Sequence, residues 1–254
     1  LGRLSPSFSD RSIILLQPVT GPMRVLRGRA VDHNADYERT RRLANEVADS
    51  RVPALRVWRP HRQVAFGRRD ARSDGYDRAR EAATARDYAV LERSVGGRAV
   101  AYTGTTVAVA LATPTDGDRS RIRRRYDDAS DRLRSALDTL GVDATDGEPP
   151  DSFCPGSHSL QADGKIAGIA QRVRQRVAVV AAAVIVDGHD EIVAVLDPVY
   201  TALGVPFDSG SVGSIARAGG PADPDPVIEA LVAGFVGDRS TTVEHVDESG
   251  LRET

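Results

Sequence analysis

Asp163-Gly164-Lys165-Ile166-Ala167-Gly168-Ile169-Ala170-Gln171 is the stretch that decides the fold of this chain. Asp-Gly suits the two-residue turn of a β-hairpin, because both residues tolerate positive φ. Residues 157–162 before the turn and 165–173 after it therefore read as paired strands, with Lys165 across from Ala162. The next apolar run, 177–186, is alanine-rich and bounded by Arg176 and Asp187, so it reads as a third, buried strand.

Working outward, residues 32–50 read as a helix, with Asp32 and Asn34 as capping candidates and an apolar stripe that includes Leu43 and Val47. Residues 54–59 and 63–67 read as short strands around Pro60 and His61, and 75–86 as a second helix. Residues 88–93, 99–102 and 105–112 read as strands. A third helix follows, in which Ile122, Tyr126, Ala129, Leu133, Leu137 and Leu140 recur at helical spacing until Gly141 stops it. Residues 190–202, with Pro198 inside, and 225–235 read as helices, and 241–246 as a last strand. Strands that outnumber helices without strict alternation predict an α+β chain: a mixed, largely antiparallel sheet flanked by helices. Residues 209–224, rich in Gly, Ser, Ala and Pro, read as a linker. The expected organisation is a catalytic domain over 23–208, a linker and small C-terminal extension over 209–254, and a leader over 1–22, since the only methionine is Met23.

A chain of 254 residues with 41% hydrophobic side chains can bury a full core. A net charge of −2 argues against a protein built to grip nucleic acid. No apolar run reaches membrane-spanning length, and residues 1–22 lack the layout of a signal peptide, so a cytoplasmic protein is expected. Lys165 is the only lysine among 34 Lys and Arg residues, and Cys154 is the only cysteine. A lone cysteine forms no intramolecular disulfide and no multi-cysteine zinc site. A GC-rich genome or salt adaptation accounts for arginine dominance, and the small net charge favours the first. Either pressure spares a lysine only where arginine, with its fixed proton and planar fork, cannot replace it. The sole lysine and sole cysteine lie eleven positions apart.

Three segments carry candidate chemistry. In Arg93-Ser94-Val95-Gly96-Gly97-Arg98-Ala99-Val100, two glycines between strands form either an ordinary turn or a backbone cradle for an oxygen-bearing ligand. In the Lys165 strand, Ala167, Gly168 and Ala170 leave little side-chain volume, so the strand can wall an acyl slot with Lys165 at its end. In Phe153-Cys154-Pro155-Gly156, proline and glycine place the thiol on a loop. That thiol is a small buried hydrophobe, unless a nearby cation or base holds it as thiolate. Cys154 and Ala162 are separated by up to ~26 Å if extended at about 3.3 Å per residue, so the loop must fold back for the thiol to meet Lys165. His158 is either a base for Cys154 or a strand side chain. His33, His61, His189 and His245 have no partner at metal-ligand spacing, and no metal site is expected. Arg119, Arg121, Arg123, Arg124 and Arg125 form either a solvated face or a dock for an acidic partner.

Together these residues resemble the lipoate protein ligase and octanoyltransferase superfamily, whose catalytic domain is shared with biotin protein ligase. Residues 92–100 are similar to its Arg-x-Ser/Thr-Gly-Gly-x-Ala-Val segment, and 165–171 to its Lys-Ile-x-Gly-x-Ala-Gln segment. The likeness spans roughly residues 32–203. It implies that Lys165 contacts the acyl carbonyl or an acyl-adenylate. It also implies that Arg93, Gly96, Gly97, Arg98 and Ala99 line the acyl pocket, facing a wall of Ile166, Ala167, Gly168 and Ala170. The chain departs from the pattern at Val95 (usually Ser or Thr), Tyr102 (often His) and Glu92 (often Arg), which weakens nucleotide binding more than acyl binding.

Cys154 makes the chain most similar to the cysteine-dependent octanoyl/lipoyl amidotransferases. The resemblance implies that Cys154 takes an octanoyl or lipoyl group as a thioester and passes it to a lysine. The acceptor is a lipoyl domain of a 2-oxoacid dehydrogenase E2 or the glycine-cleavage H protein, the acyl group comes from a donor protein, and no cofactor is required. Lys165 and backbone N–H groups are expected to stabilise the oxyanion. The alternatives are an ATP- and magnesium-dependent lipoate ligase in which Cys154 is structural, and a non-catalytic paralogue that binds lipoyl domains.

Overall fold

The computed structural model describes residues 21–93 and 97–246. They run β1 (Met23–Arg27), α1 (His33–Ser50), β2 (Ala54–Trp58), β3 (Gln63–Phe66), α2 (Tyr76–Thr84), β4 (Ala89–Glu92), β5 (Val100–Tyr102), β6 (Thr106–Pro114) and α3 (Ile122–Asp138). Then come β7 (Thr145–Asp146), β8 (Ser159–Gln161), β9 (Lys165–Val173), β10 (Val177–Ile185), α4 (His189–Leu203), α5 (Pro224–Val236) and β11 (Thr241–His245). Asp32 caps α1 as its position suggests, its carboxylate accepting from the N–H groups of Asn34 and Ala35 at 2.9 Å.

Eight strands form one sheet in the order β11-β1-β2-β6-β10-β9-β8-β7, and β4-β3-β5 form a second. Pairing is antiparallel except at β11–β1, β1–β2 and β3–β4, so the expected mixed α+β architecture is present. Alternation along the strands sends Leu55, Val57, Val107, Val109 and Val184 to one face, where Leu133 and Leu137 of α3 and Leu231 and Phe235 of α5 cover them. On the opposite face α1 packs Leu43, Ala44 and Val47 over Ala54, Ala112 and Val177. α2 and α4 cover the small sheet around Phe66, Ala79 and Tyr200.

Two sequence readings need correction. The first is the C-terminal boundary: residues 209–224 are no free linker, because Val212, Ser214 and Ile215 are buried. Gly213 donates its N–H to the Lys165 carbonyl at 3.0 Å, and a Cβ on Gly164 would sit 2.7 Å from the Gly213 nitrogen. The turn glycine is thus also a packing glycine. α5 sits in the main core and β11 completes the large sheet beside β1. The second correction is the hairpin register. Asp163 and Gly164 both have positive φ, as expected, but a bulge at Leu160/Gln161 puts Lys165 across from Gln161 instead of Ala162. Of the leader expected over 1–22, residues 1–20 lie outside the described residues.

Candidate active site

The face of the large sheet that α1 covers is built from small residues. The ladder aligns Gly168 of β9 with Ala183 of β10 and Ala108 of β6, and Ala170 with Ala181 in the next rung. Ala170 and Ala181 are exposed in the middle of the sheet, because α1 and the small sheet stand apart there. The result is a cavity of about 300 Å³, at the low end for small-molecule sites. The small sheet lends its Gln63, Ala65, Val100 and Tyr102, which neighbour one another in the β3–β5 ladder. Lys165 and Cys154 both line this cavity.

The Cys154 loop does fold back. Lys165 is buried and its ammonium donates to the carbonyls of Phe153 (2.9 Å) and Cys154 (3.1 Å) and to Glu148 Oε1 (2.8 Å). An ammonium has three protons, and all three are spent. Ser152 and Ser159 also donate to Glu148, gathering the loop around one carboxylate. Burial works to raise the Glu148 pKa, but the hydrogen bonds from Lys165, Ser152 and Ser159 outweigh it and hold the carboxyl below its ordinary value.

Cys154 itself sits at φ +43°, a left-handed conformation costly for a residue with a Cβ. Its N–H donates to the Tyr200 hydroxyl at 2.6 Å, which donates in turn to the Ala99 carbonyl at 3.0 Å. Burial pushes the Tyr200 phenol pKa well up, so that hydroxyl stays protonated. The thiol lies over Gly97, whose φ is +100°. A Cβ there would meet Cys154 Sγ at 3.0 Å and Arg93 Nη2 at 3.6 Å. Glycine is required here for the backbone angle and for the approach of sulfur.

The expected site residues therefore divide. Cys154, Lys165, Arg93, Gly168 and Ala170 line the cavity, and Gly97 abuts the thiol. Ile166 and Ala167 do not: both face the core of α3 and α5, Ala167 because side chains alternate from Gly168, and Ile166 because it is the extra residue of the bulge opposite Leu160/Gln161, where the alternation breaks. Arg98 is turned to the buried Asp70 carboxylate (3.0 Å), and Ala99 contributes only its carbonyl, so neither joins the lining. Gly96 lies outside the described residues. His158 borders the cavity with its ring stacked on Tyr126 at 3.7 Å. Sequence reading missed Glu148 and Tyr200; Glu148 lies in a short irregular stretch with no periodicity to mark it, and Tyr200 sits on the apolar stripe of a helix. No group of three or more His, Cys, Asp or Glu is placed to hold a metal ion among the described residues.

A small-residue slot beside a buried lysine is the arrangement that the family resemblance requires, and comparison bears the resemblance out. The profile of the lipoyl protein ligase A/B catalytic domain matches residues 33–236. The chain belongs to that family. Among the relatives of this lipoyl ligase-type chain is an octanoyl-GcvH:protein N-octanoyltransferase of Geobacillus kaustophilus, 32% identical over 127 residues, or 49% of this chain and 45% of the relative. A protein of the same name from Lysinibacillus sphaericus is 30% identical over 129 residues, 50% of this chain and 46% of its own. The matches thus span about half the length of these relatives. Among solved structures, lipoate-protein ligase A bound with ATP superposes with a TM-score of 0.71 at 19% identity, covering 91% of each chain. A bipartite lipoate protein ligase from Thermoplasma acidophilum gives 0.64 at 18%, covering 91% of this chain and 89% of that one. These likenesses show the shared fold, which reaches past the expected boundary at residue 208 into α5.

Proposed function

We propose that this chain transfers an octanoyl group between proteins in the cytoplasm, holding it in transit as a thioester on Cys154. The observation that carries this reading is the placement of the only thiol at a slot floored by Gly168, Ala170, Ala181 and Ala183, with its loop fixed by Lys165 and Tyr200. A straight acyl chain needs such a floor, since each buried methylene contributes about 0.8 kcal/mol and none is lost to a competing side chain. The names of the relatives support octanoyl-GcvH as donor, and a lysine of an E2 lipoyl domain is the acceptor.

The chemistry has two balanced halves. The Cys154 thiolate attacks the octanoyl amide carbonyl of the donor, forming a C–S bond, and the C–N bond breaks as the donor lysine leaves with a proton from solvent. The acceptor amine then attacks the thioester, a C–N bond forms, and Cys154 departs as thiolate while the amine gives up its proton. This route has no step that uses ATP or magnesium. Lys165 fixes the carbonyls of Phe153 and Cys154 in the free protein. It reaches the reacting carbonyl only by exchanging one of those partners.

The test is intact mass after incubation without ATP with octanoylated GcvH. Wild type gains one octanoyl group that hydroxylamine removes, and Cys154→Ser gains none. No adduct, together with ATP-dependent modification of a lipoyl domain by both proteins, overturns the reading in favour of a ligase.

A further inference from the structure

The slot has an open end and a closed end, and the strand ladder fixes which is which. Gly168 of β9, Ala183 of β10, Ala108 of β6 and Trp58 of β2 stand side by side in one rung, and all four line the cavity. In the neighbouring rung Ala170 and Ala181 are exposed. Along the Gly168 rung the cover closes: Ala183 is half-buried and Ala108 is 5% exposed. The Lys165 side chain lies over Gly168, its Nζ 3.9 Å from where a Cβ would stand, and it holds the Cys154 carbonyl at 3.1 Å. The reacting end is therefore at Gly168, and the rung leads from it to Trp58. The indole there is fixed. Its Nε1 donates to Asp36 Oδ2 at 3.1 Å, Arg56 pairs with Asp36 Oδ1 at 2.5 Å, and the Arg56 guanidinium lies over the ring, 4.2 Å from its centroid. Asp36 and Arg56 are both buried, and breaking a buried pair leaves an uncompensated charge, so the indole keeps this seat.

We infer that Trp58 is the end wall of the acyl slot and the residue that limits the transferred chain to about eight carbons. The inference rests on the acyl-transfer reading above and deepens it, by naming what sets the length that the site selects. Three strand spacings of about 4.8 Å put Gly168 and Trp58 about 14 Å apart across the sheet. An extended alkyl chain advances about 1.25 Å per bond, from C–C bonds of ~1.5 Å at an angle of ~111°. The C–C bonds of an octanoyl group then span about 9 Å, which leaves about 5 Å for the carbonyl end and the body of the indole. Four further carbons would add about 5 Å and run into the ring. Trp58 also borders a second cavity of about 540 Å³, together with Gly28, Asp225 and Glu229. Loss of the indole therefore lengthens the slot toward room on its far side.

Trp58 is the only tryptophan in the chain, so its emission reports on the end wall without any acyl donor. The probes are N-methylalkanamides of four to twelve carbons, neutral stand-ins for an acyl-lysine amide. Calorimetric affinity for wild type should rise about fourfold per methylene up to eight carbons and stop rising beyond. At saturation the emission should stay at its free value with the four-carbon amide and shift with the eight-carbon one. In Trp58→Ala the rise should continue to ten and twelve carbons, and the twelve-carbon amide should bind about tenfold tighter than to wild type, or more. An affinity that climbs unbroken to twelve carbons in wild type overturns the inference. So do a limit that stays at eight carbons in a folded Trp58→Ala protein, an emission unmoved by the eight-carbon amide, and no binding of any amide. If Trp58→Ala does not fold, Trp58→Leu takes its place, and the wild-type titrations still decide by themselves. The two readings fail separately. A protein that keeps this limit but forms no acyl adduct on Cys154 loses the thioester step and keeps the wall, whereas an adduct with no limit set by Trp58 keeps the thioester and loses the wall.

Discussion

The two faces of the eight-stranded sheet share the same strands and one register, yet do opposite work. Toward α3 and α5 the rungs carry Leu55, Val57, Val109 and Val184, and the space is filled. Toward α1 and the small sheet they carry Ala108, Ala181, Ala183, Gly168 and Ala170, and the space is left open as a cavity of about 300 Å³. Because side chains alternate, a sequence can set the two faces independently. Stability is concentrated on one side of the backbone and ligand room on the other. The comparison breaks if substitutions on the filled face alter acyl selectivity, or if those on the open face chiefly alter stability.

The largest effect is expected on the filled face. Leu133 is fully buried between α3 and the sheet. Leu133→Ala should lower unfolding free energy by about 3 kcal/mol in denaturant titration, from lost transfer energy plus the residual cavity. The acyl chain-length profile of the Cys154 adduct should stay at that of wild type. A shift toward other chain lengths would mean that the faces are mechanically coupled.

On the open face the order reverses. Ala183→Leu projects three further carbons over the floor beside Gly168. Filling the room of about two methylenes should weaken octanoyl loading by on the order of tenfold, at about 0.8 kcal/mol each. Adduct formation from a butanoyl donor should persist. Equal loss for both chain lengths would remove the slot from its role in holding the acyl tail. Where the floor ends at the nucleophile, Gly97→Ala forces a Cβ to 3.0 Å from Cys154 Sγ at φ +100°. The strain is about 1 kcal/mol, and alkylation of Cys154 should slow while the thermal midpoint drops by only a few degrees. An alkylation rate equal to that of wild type would show that the thiol does not depend on this approach.

Much of this division was legible in the sequence. β9 begins and ends at Lys165 and Val173 as the turn signal and apolar run predict, and the Gly-Ala pattern at Gly168 and Ala170 announces a bare face. The pattern also misled: Ala167 is small too, but an odd–even count from Gly168 assigns it to the core, and the bulge at Leu160/Gln161 hid that count. Residues 209–224 were misread because Gly, Ser and Pro mark irregular backbone, and irregular backbone can still be buried when a neighbouring glycine such as Gly164 admits it. Cys154 and Lys165 drew notice by being unique. Glu148 did not, since a carboxylate among 36 carries no signal until Ser152, Ser159 and Lys165 are seen to converge on it. Long-range convergence of that kind is a property of the folded chain alone.

The smallest expected effect separates the Glu148 clamp from the two apolar faces. The folded-state pKa of Glu148 lies below its unfolded value of about 4.3, because hydrogen bonds to the carboxylate outweigh its burial. A depressed carboxyl stabilises the fold at pH values above the unfolded pKa, and that contribution is lost as pH falls through the folded value. Glu244, Glu229, Asp32 and Asp118 are depressed as well, so the bare pH profile of wild type does not isolate one group. The difference between wild type and Glu148→Gln does. Measured as thermal midpoint, wild type should exceed the variant near neutral pH, and the gap should narrow as pH falls below the unfolded pKa. A gap that stays constant down to acid pH would mean that Glu148 contributes shape alone. The clamp on Lys165 would then be a hydrogen-bonded scaffold whose charge is immaterial.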